Sequence, residues 1–215
     1  MTTWWAEHNA SVRERGAGTP LLDAAVALLD DVETAFAVTG AHTPGWPDPH
    51  DGGPLPEEAY GRLTDTRRYA IVAVREAAWE KVLLDRGWAR LEAAGERRTL
   101  TPHRPGAVPL VFDVLDNEGT TFLRISAGRP PVELTGHPDC ACDGCDFGSE
   151  DLLEAIDQDI FSAVDGSLEI RVGAGKMGVR TSFRGSGPAP DHAIRRIAAA
   201  PWAGEWSPRE LIRQL

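Results

Sequence analysis

Residues 137–146 read HPDCACDGCD and hold all three cysteines of the chain, Cys140, Cys142 and Cys145, interleaved with His137, Asp139, Asp143 and Asp146. Cys142 and Cys145 have the C-x-x-C spacing with which a tight turn offers two thiolates to one tetrahedral ion. Cys140 and His137 complete a ligand set that suits zinc. The expected metal ligands are therefore Cys140, Cys142, Cys145 and His137, and zinc is the cofactor they would hold. Two features count against a standard structural site: Cys140 and Cys142 make an awkward C-x-C bite, and typical sites draw their ligand pairs from separated segments. A more distant His103 or His192 could replace His137.

The same residues support two other readings. Cys142 and Cys145 alone could form a redox pair, since a C-x-x-C turn allows the short Cα separation of a disulfide. A helix beginning just beyond it would place its positive end near Cys145, although three aspartates in the turn should oppose thiolate formation. The third reading is an Asx-rich turn entering a helix, with thiols that pack and do nothing more. A zinc deaminase would need an H-x-E element beside its cysteines, and no histidine here is followed by x-Glu. An H-E-x-x-H helix and a G-x-S-x-G elbow are absent too, so no catalytic residue can be assigned.

The elements that must position this turn are readable from periodicity. Thr19 and Pro20 suit the start of a helix, and Leu22, Val26, Leu29, Val32 and Phe36 recur at steps of three and four residues up to Gly40. Residues 40–58 are crowded with proline and glycine and read as a long surface loop. His42, Trp46, Asp48, His50 and Asp51 lie in it and could line a cleft. A second helix is expected after Thr64, with Ile71, Val74, Ala78 and Val82 on one face. Its apolar pattern continues through Leu84, Trp88 and Leu91, past a bend or break at Gly87. Trp79 and Trp88 read as packing residues.

From about residue 98 the pattern becomes β-rich. VPLVFDVLD and TTFLRISAG flank the turn signal DNEG and predict an antiparallel hairpin, with RTLTP and PVEL as flanking strands. Leu123 and Ile125 fall on one face, Phe122 and Arg124 on the other, as in a sheet covered by helices on one side. Ser149 should cap a helix with the stripe Leu152, Leu153, Ile156, Ile160, Phe161 and Val164, stopped by Gly166. SLEIRV and MGVRTSF predict a second hairpin around GAGK, which lacks the lysine and serine of a phosphate loop. DHAIRRIAAAPW reads as a short helix, and Ser207 with Glu210 as a capping box for a final one. The expected fold is a single α+β domain over residues 1–215, a mainly antiparallel sheet packed against helices, with residues 1–18 a flexible N-terminus.

Composition narrows the function classes. The chain of 215 residues is 42% hydrophobic and 26% charged, ordinary for a globular protein with a sizeable core. Its net charge of -11 repels phosphate backbones, and Arg67 with Arg68, Arg97 with Arg98 and Arg195 with Arg196 are isolated pairs suited to ion pairing. No nucleic-acid partner is expected. Apolar runs such as AAVALL are too short to cross a bilayer, and the first residues lack a signal-peptide pattern, so no membrane partner and a cytoplasmic location are expected.

The segments YGRLTDTRRY, HPDCACDGCD and VRTSFRGSGP together resemble an uncharacterised bacterial family of unknown function, over roughly residues 60–205. The resemblance draws attention to Tyr60, Arg62, Thr64, Arg68, Cys140, Cys142, Asp143, Cys145, Asp146, Arg180, Ser182, Phe183 and Gly185. It implies that the cysteine turn matters but supplies no activity. APDHAIRR departs from the tryptophan-bearing stretch associated with that family. The leading functional expectation is a non-catalytic domain with a cysteine-rich turn that holds structural zinc and binds a protein or small molecule. The alternatives are a metal-dependent or C-x-x-C redox enzyme, and an acidic immunity or inhibitor-type protein for a basic partner.

Overall fold

The computed structural model describes residues 3–16, 18–50, 53, 56–187 and 192–207. Its centre is a five-stranded antiparallel meander of β1 (Ala89–Ala94), β2 (Arg97–Pro102), β3 (Leu110–Asn117), β4 (Thr120–Ala127) and β5 (Val132–His137), hydrogen-bonded in that order. Successive side chains on a strand point to opposite faces, and the register places Phe112 opposite Ile125 and Leu110 opposite Ala127. These four, with Leu100 and Leu123, are wholly buried. Their neighbours carry charge instead: Arg97 makes a bidentate pair with Asp113 across the strands, at 2.8 and 2.9 Å. Arg124 pairs with Glu133.

The apolar face is covered by helices α3 (Ile71–Asp85) and α4 (Ser149–Val164), and α2 (Asp23–Thr39) packs against α3. A second antiparallel sheet, in the order β8 (Gly185–Ser186), β7 (Lys176–Arg180), β6 (Glu169–Gly173) and β9 (Arg195–Ala198), completes the α+β fold. Residues 4–15, within the stretch expected to be a flexible N-terminus, form α1 (Trp4–Arg15). Trp5 is buried, and Asn9 clamps Leu21 by accepting from its backbone N–H and donating to its carbonyl.

One buried carboxylate ties the helices together. Asp157 on α4 is fully buried and accepts from Arg75 Nε at 2.8 Å and Arg75 Nη2 at 2.6 Å, both from α3. It also accepts from Trp79 Nε1 at 2.7 Å and Trp4 Nε1 at 3.0 Å. The other side of Arg75 reaches Glu33 on α2 at 2.7 Å. Four helices thus share one ion network, and every oxygen of Asp157 is used, as a charge in so apolar a setting requires.

The structure corrects several sequence expectations. α2 starts at Asp23, not after Thr19, and its buried stripe is Ala25, Leu28, Leu29, Val32 and Ala35; Leu22 is 55% exposed. α3 ends at Asp85, and Leu91 belongs to β1, because Gly87 adopts a left-handed φ of 66° that turns the chain into the sheet. Gly148, not Ser149, occupies the N-cap of α4. The described part of DHAIRRIAAAPW, residues 192–202, forms no helix: Arg195–Ala198 is β9, pairing Ile197 with Ile170 of β6. Helical propensity yields there to an available sheet edge, with Ile197 buried and Arg196 reaching Glu169. The arginine pairs do close ion pairs: Arg68 with Asp146, Arg97 with Asp113, Arg98 with Glu80 and Arg196 with Glu169. The capping box expected at Ser207 and Glu210 lies outside the described residues beyond Ser207.

Candidate metal centre

β5 ends at His137, and the chain then makes the cysteine turn before entering α4 at Ser149. The turn closes as a short 3-10 segment over Asp143–Cys145, with the Cys145 N–H donating to the Cys142 carbonyl at 3.0 Å. The three Sγ atoms all lie within 4.8 Å of one another, and no disulfide joins them. Cys142 is buried, while Cys140 and Cys145 are exposed. Tetrahedral zinc with Zn–S bonds near 2.3 Å holds its sulfurs about 3.8 Å apart, so a small inward movement of the thiols completes a three-thiolate site. The ligand set fits the group.

The structure does not bring His137 into this cluster. It is buried, and its Nε2 faces Asp159 Oδ2 on α4 at 2.9 Å. His103 and His192 are exposed and not part of the cluster either. Among the described residues, the three cysteines alone form a metal-sized group.

Two of the three aspartates expected to oppose thiolate formation, Asp143 and Asp146, are engaged by other side chains. Asp143 accepts from Arg62 Nε at 2.6 Å, Thr64 N at 2.9 Å and Thr64 Oγ1 at 2.7 Å. Those bonds, led by the Arg62 contact, hold its carboxyl down at about 2. Asp146 accepts from Trp46 Nε1 at 2.9 and 3.1 Å and pairs with Arg68 at 2.5 Å. With both charges matched, a backbone N–H from Gly61 and the neighbouring thiols favour the Cys142 thiolate and lower it to about 7. Cys145, which hydrogen-bonds that sulfur, is pushed up to about 12.

The long loop is not a free surface. The backbone N–H of Trp46 donates to Ser149 Oγ at 3.0 Å, and Ser149 N donates back to the Trp46 carbonyl at 3.0 Å. His50 Nε2 bonds the Asp143 carbonyl at 2.8 Å. Gly148, at a φ of 95°, passes so close that an added Cβ would sit 2.7 Å from Asp48 N. The ring of Tyr60 covers Gly144 as closely, with 3.0 Å left for a Cβ. Of the loop residues singled out from the sequence, Trp46, Asp48 and His50 therefore reach the turn, His42 is exposed, and Asp51 lies outside the described residues.

The third segment of interest acts from behind. Thr181 Oγ1 accepts from the backbones of Phe183 and Arg184, both at 3.0 Å, forming a tight turn after β7. That turn aims Arg184 at Asp159, the partner of His137. Ser182 bonds Asp165 and Ser167. Phe183 packs against Trp4, His8 and Phe161, and Arg180 pairs with Glu169 and Gly185 in the second sheet. Arg184, which sequence reasoning passed over, makes the connecting contact. Its only sequence signal is its place inside VRTSFRGSGP.

Asp143 provides a direct check. A depressed folded-state value means that its stabilisation is present above about pH 3.9, the ordinary Asp value, and is lost as pH falls through about 2. Asp143→Asn should therefore flatten the acid limb of a stability-against-pH curve in that window, and should cost about 1–2 kcal/mol at neutral pH through the lost charge-assisted bonds. Parallel acid limbs for the two proteins would show that Arg62 and Thr64 do not hold it.

Fold and site together define an α+β protein with a three-thiol cluster braced at the junction of a sheet edge and a helix. The chain belongs to a family of unknown function, DUF6226, which matches over residues 32–209. That span takes in the second half of α2 and the long loop as well as the three segments noted from sequence. No curated protein and no solved structure matches the chain. Among the described residues, no helix is long and apolar enough to cross a membrane.

Proposed function

We propose that the protein is a non-catalytic binding domain whose cysteine turn holds one zinc ion through Cys140, Cys142 and Cys145. The observation that carries this reading is the convergence of three thiols within 4.8 Å, in a turn whose backbone and side chains are gripped by Trp46, His50, Arg62, Thr64 and Arg68. Such outer contacts are what keep metal ligands oriented. The metal would fix the shape of the turn against which the loop, the Tyr60–Thr64 segment and the start of α4 pack. Three protein ligands leave a fourth position, which a side chain of the bound partner would close, as a structural site requires.

The test is elemental analysis of the purified full chain together with a thiol count before and after chelation. About one zinc per chain is expected, with thiols becoming titratable only on chelation. Cys142→Ser should retain little metal. Asp143→Asn should keep the stoichiometry while weakening affinity by about 10–100-fold, the usual effect of losing an outer contact. Three freely reacting thiols without metal would overturn the reading.

A redox pair is the second reading, favoured by the contact between the lowered Cys142 thiol and Cys145. One free thiol, no metal and a reducible Cys142–Cys145 bond would establish it in place of the first.

A further inference from the structure

Away from the cysteine turn, a cleft of about 540 Å³ opens between the middle of α3 and the turn ends of the β1–β2 and β3–β4 hairpins. That is within the size range of small-molecule sites. Its wall is apolar where Ala73, Ala77 and Val114 line it, and Glu96 and Asp116 also contribute to the lining. Glu76 belongs to the same lining and is only 2% exposed. Its Oε1 has no hydrogen-bond partner among the described residues. A buried carboxylate oxygen without a donor is costly, and native structures seldom leave one so without a reason.

The nearby cation does not satisfy it. Arg98 also lines the cleft, but its Nε and Nη2 are both committed to the carboxylate of Glu80. Setting that matched pair aside, the lining carries Glu76, Glu96 and Asp116 with no opposing charge. These carboxylates do not converge as a metal site does. The arrangement asks for a donor that brings its own apolar body. We propose that this cleft binds a small organic cation, an ammonium or guanidinium head on a short aliphatic body, with the head on the Glu76 carboxylate and the body against Ala73, Ala77 and Val114.

Binding would place a positive charge beside a carboxyl that burial and Glu80 otherwise hold up at about 7. A cationic partner favours the ionised form, so binding is linked to release of that proton. Glu96 and Asp116 would draw the cation in; Glu76 would retain it. The site requires nothing of the cysteine turn and stands whether or not metal binds there.

The experiment is a titration of the full chain with n-butylammonium and n-butylguanidinium, followed by amide chemical shifts, with neutral butyramide and anionic butyrate of similar size as comparisons. The expected result is saturable shifts at Ala73, Ala77, Val114 and Thr121 with the two cations at millimolar concentration, and none with butyramide or butyrate. Glu76→Gln, nearly isosteric, should weaken cation binding by about tenfold or more, the scale of one lost charge-assisted contact, while the rest of the spectrum reports an intact fold. The proposal is overturned if neither cation shifts the lining residues, if butyramide shifts them equally, or if Glu76→Gln binds as the parent does.

Discussion

Asp157→Ala should lower the unfolding free energy by about 3–5 kcal/mol, the cost of leaving a buried charge without its partner. The substitution removes the acceptor for two Arg75 bonds and for the indole N–H groups of Trp79 and Trp4. Arg75 is 1% exposed and would keep only Glu33, whose side chain is about half exposed. Its guanidinium is desolvated and held charged mainly by Asp157, so it has no inexpensive way to lose that charge. Denaturant unfolding measures the effect. The companion variant Arg75→Met/Asp157→Leu, which removes both charges, should recover much of the loss, since apolar replacement of a buried pair is often close to neutral. A midpoint unchanged by Asp157→Ala would mean that the four-helix network contributes little.

The second large effect should appear with pH. Glu76 titrates near 7 in the folded protein, against an ordinary 4.5, first because of burial and then because of Glu80. Below about pH 4.5 both folded and unfolded chains hold the proton, and the group costs nothing. As pH rises from there to 7, the unfolded chain releases its proton while the folded one keeps it, so stability falls. Above 7 the full penalty applies, about 3 kcal/mol at about 1.4 kcal/mol for each unit of displacement. Glu76→Gln abolishes the titration. Its advantage over the parent should grow from near zero in mild acid to about that value in mild base. Urea midpoints across this range decide the matter, and curves that stay parallel would show Glu76 to titrate as an ordinary carboxyl. Saturating a cation in the cleft should shrink the same gap, which connects this measurement to the proposed ligand.

Legibility from sequence followed contact range. The helix over Ser149–Val164 and the hairpin of β3 and β4 were readable because their signals lie within a few residues: apolar spacing of three and four in one, alternation around Asp116–Thr120 in the other. The alternation at Leu123, Arg124 and Ile125 gave the correct buried face. Arg195–Ala198 was misread because four residues of ambiguous propensity take their state from a partner strand, and β6 lies more than twenty residues earlier. The cysteine turn was legible as a cluster and illegible as a site. His137 stood nearest in sequence, yet it faces Asp159 on α4.

The amino-acid sequence by itself determined the α+β class, the antiparallel hairpins, the amphipathic helices and the gathering of all three thiols into one turn, since each depends on local spacing and side-chain type. Tertiary structure alone decided what surrounds those thiols. Trp46, Arg62, Thr64 and Arg68 reach the turn from 78 to 100 residues away in the chain, and they hydrogen-bond Asp143 and Asp146, with the two arginines matching their charges. It alone decided, too, that Glu76, one acidic residue among many on the helices, is the one left buried beside a cleft with an oxygen unpaired. Burial and charge pairing belong to the packed molecule, and no spacing rule along one chain segment contains them.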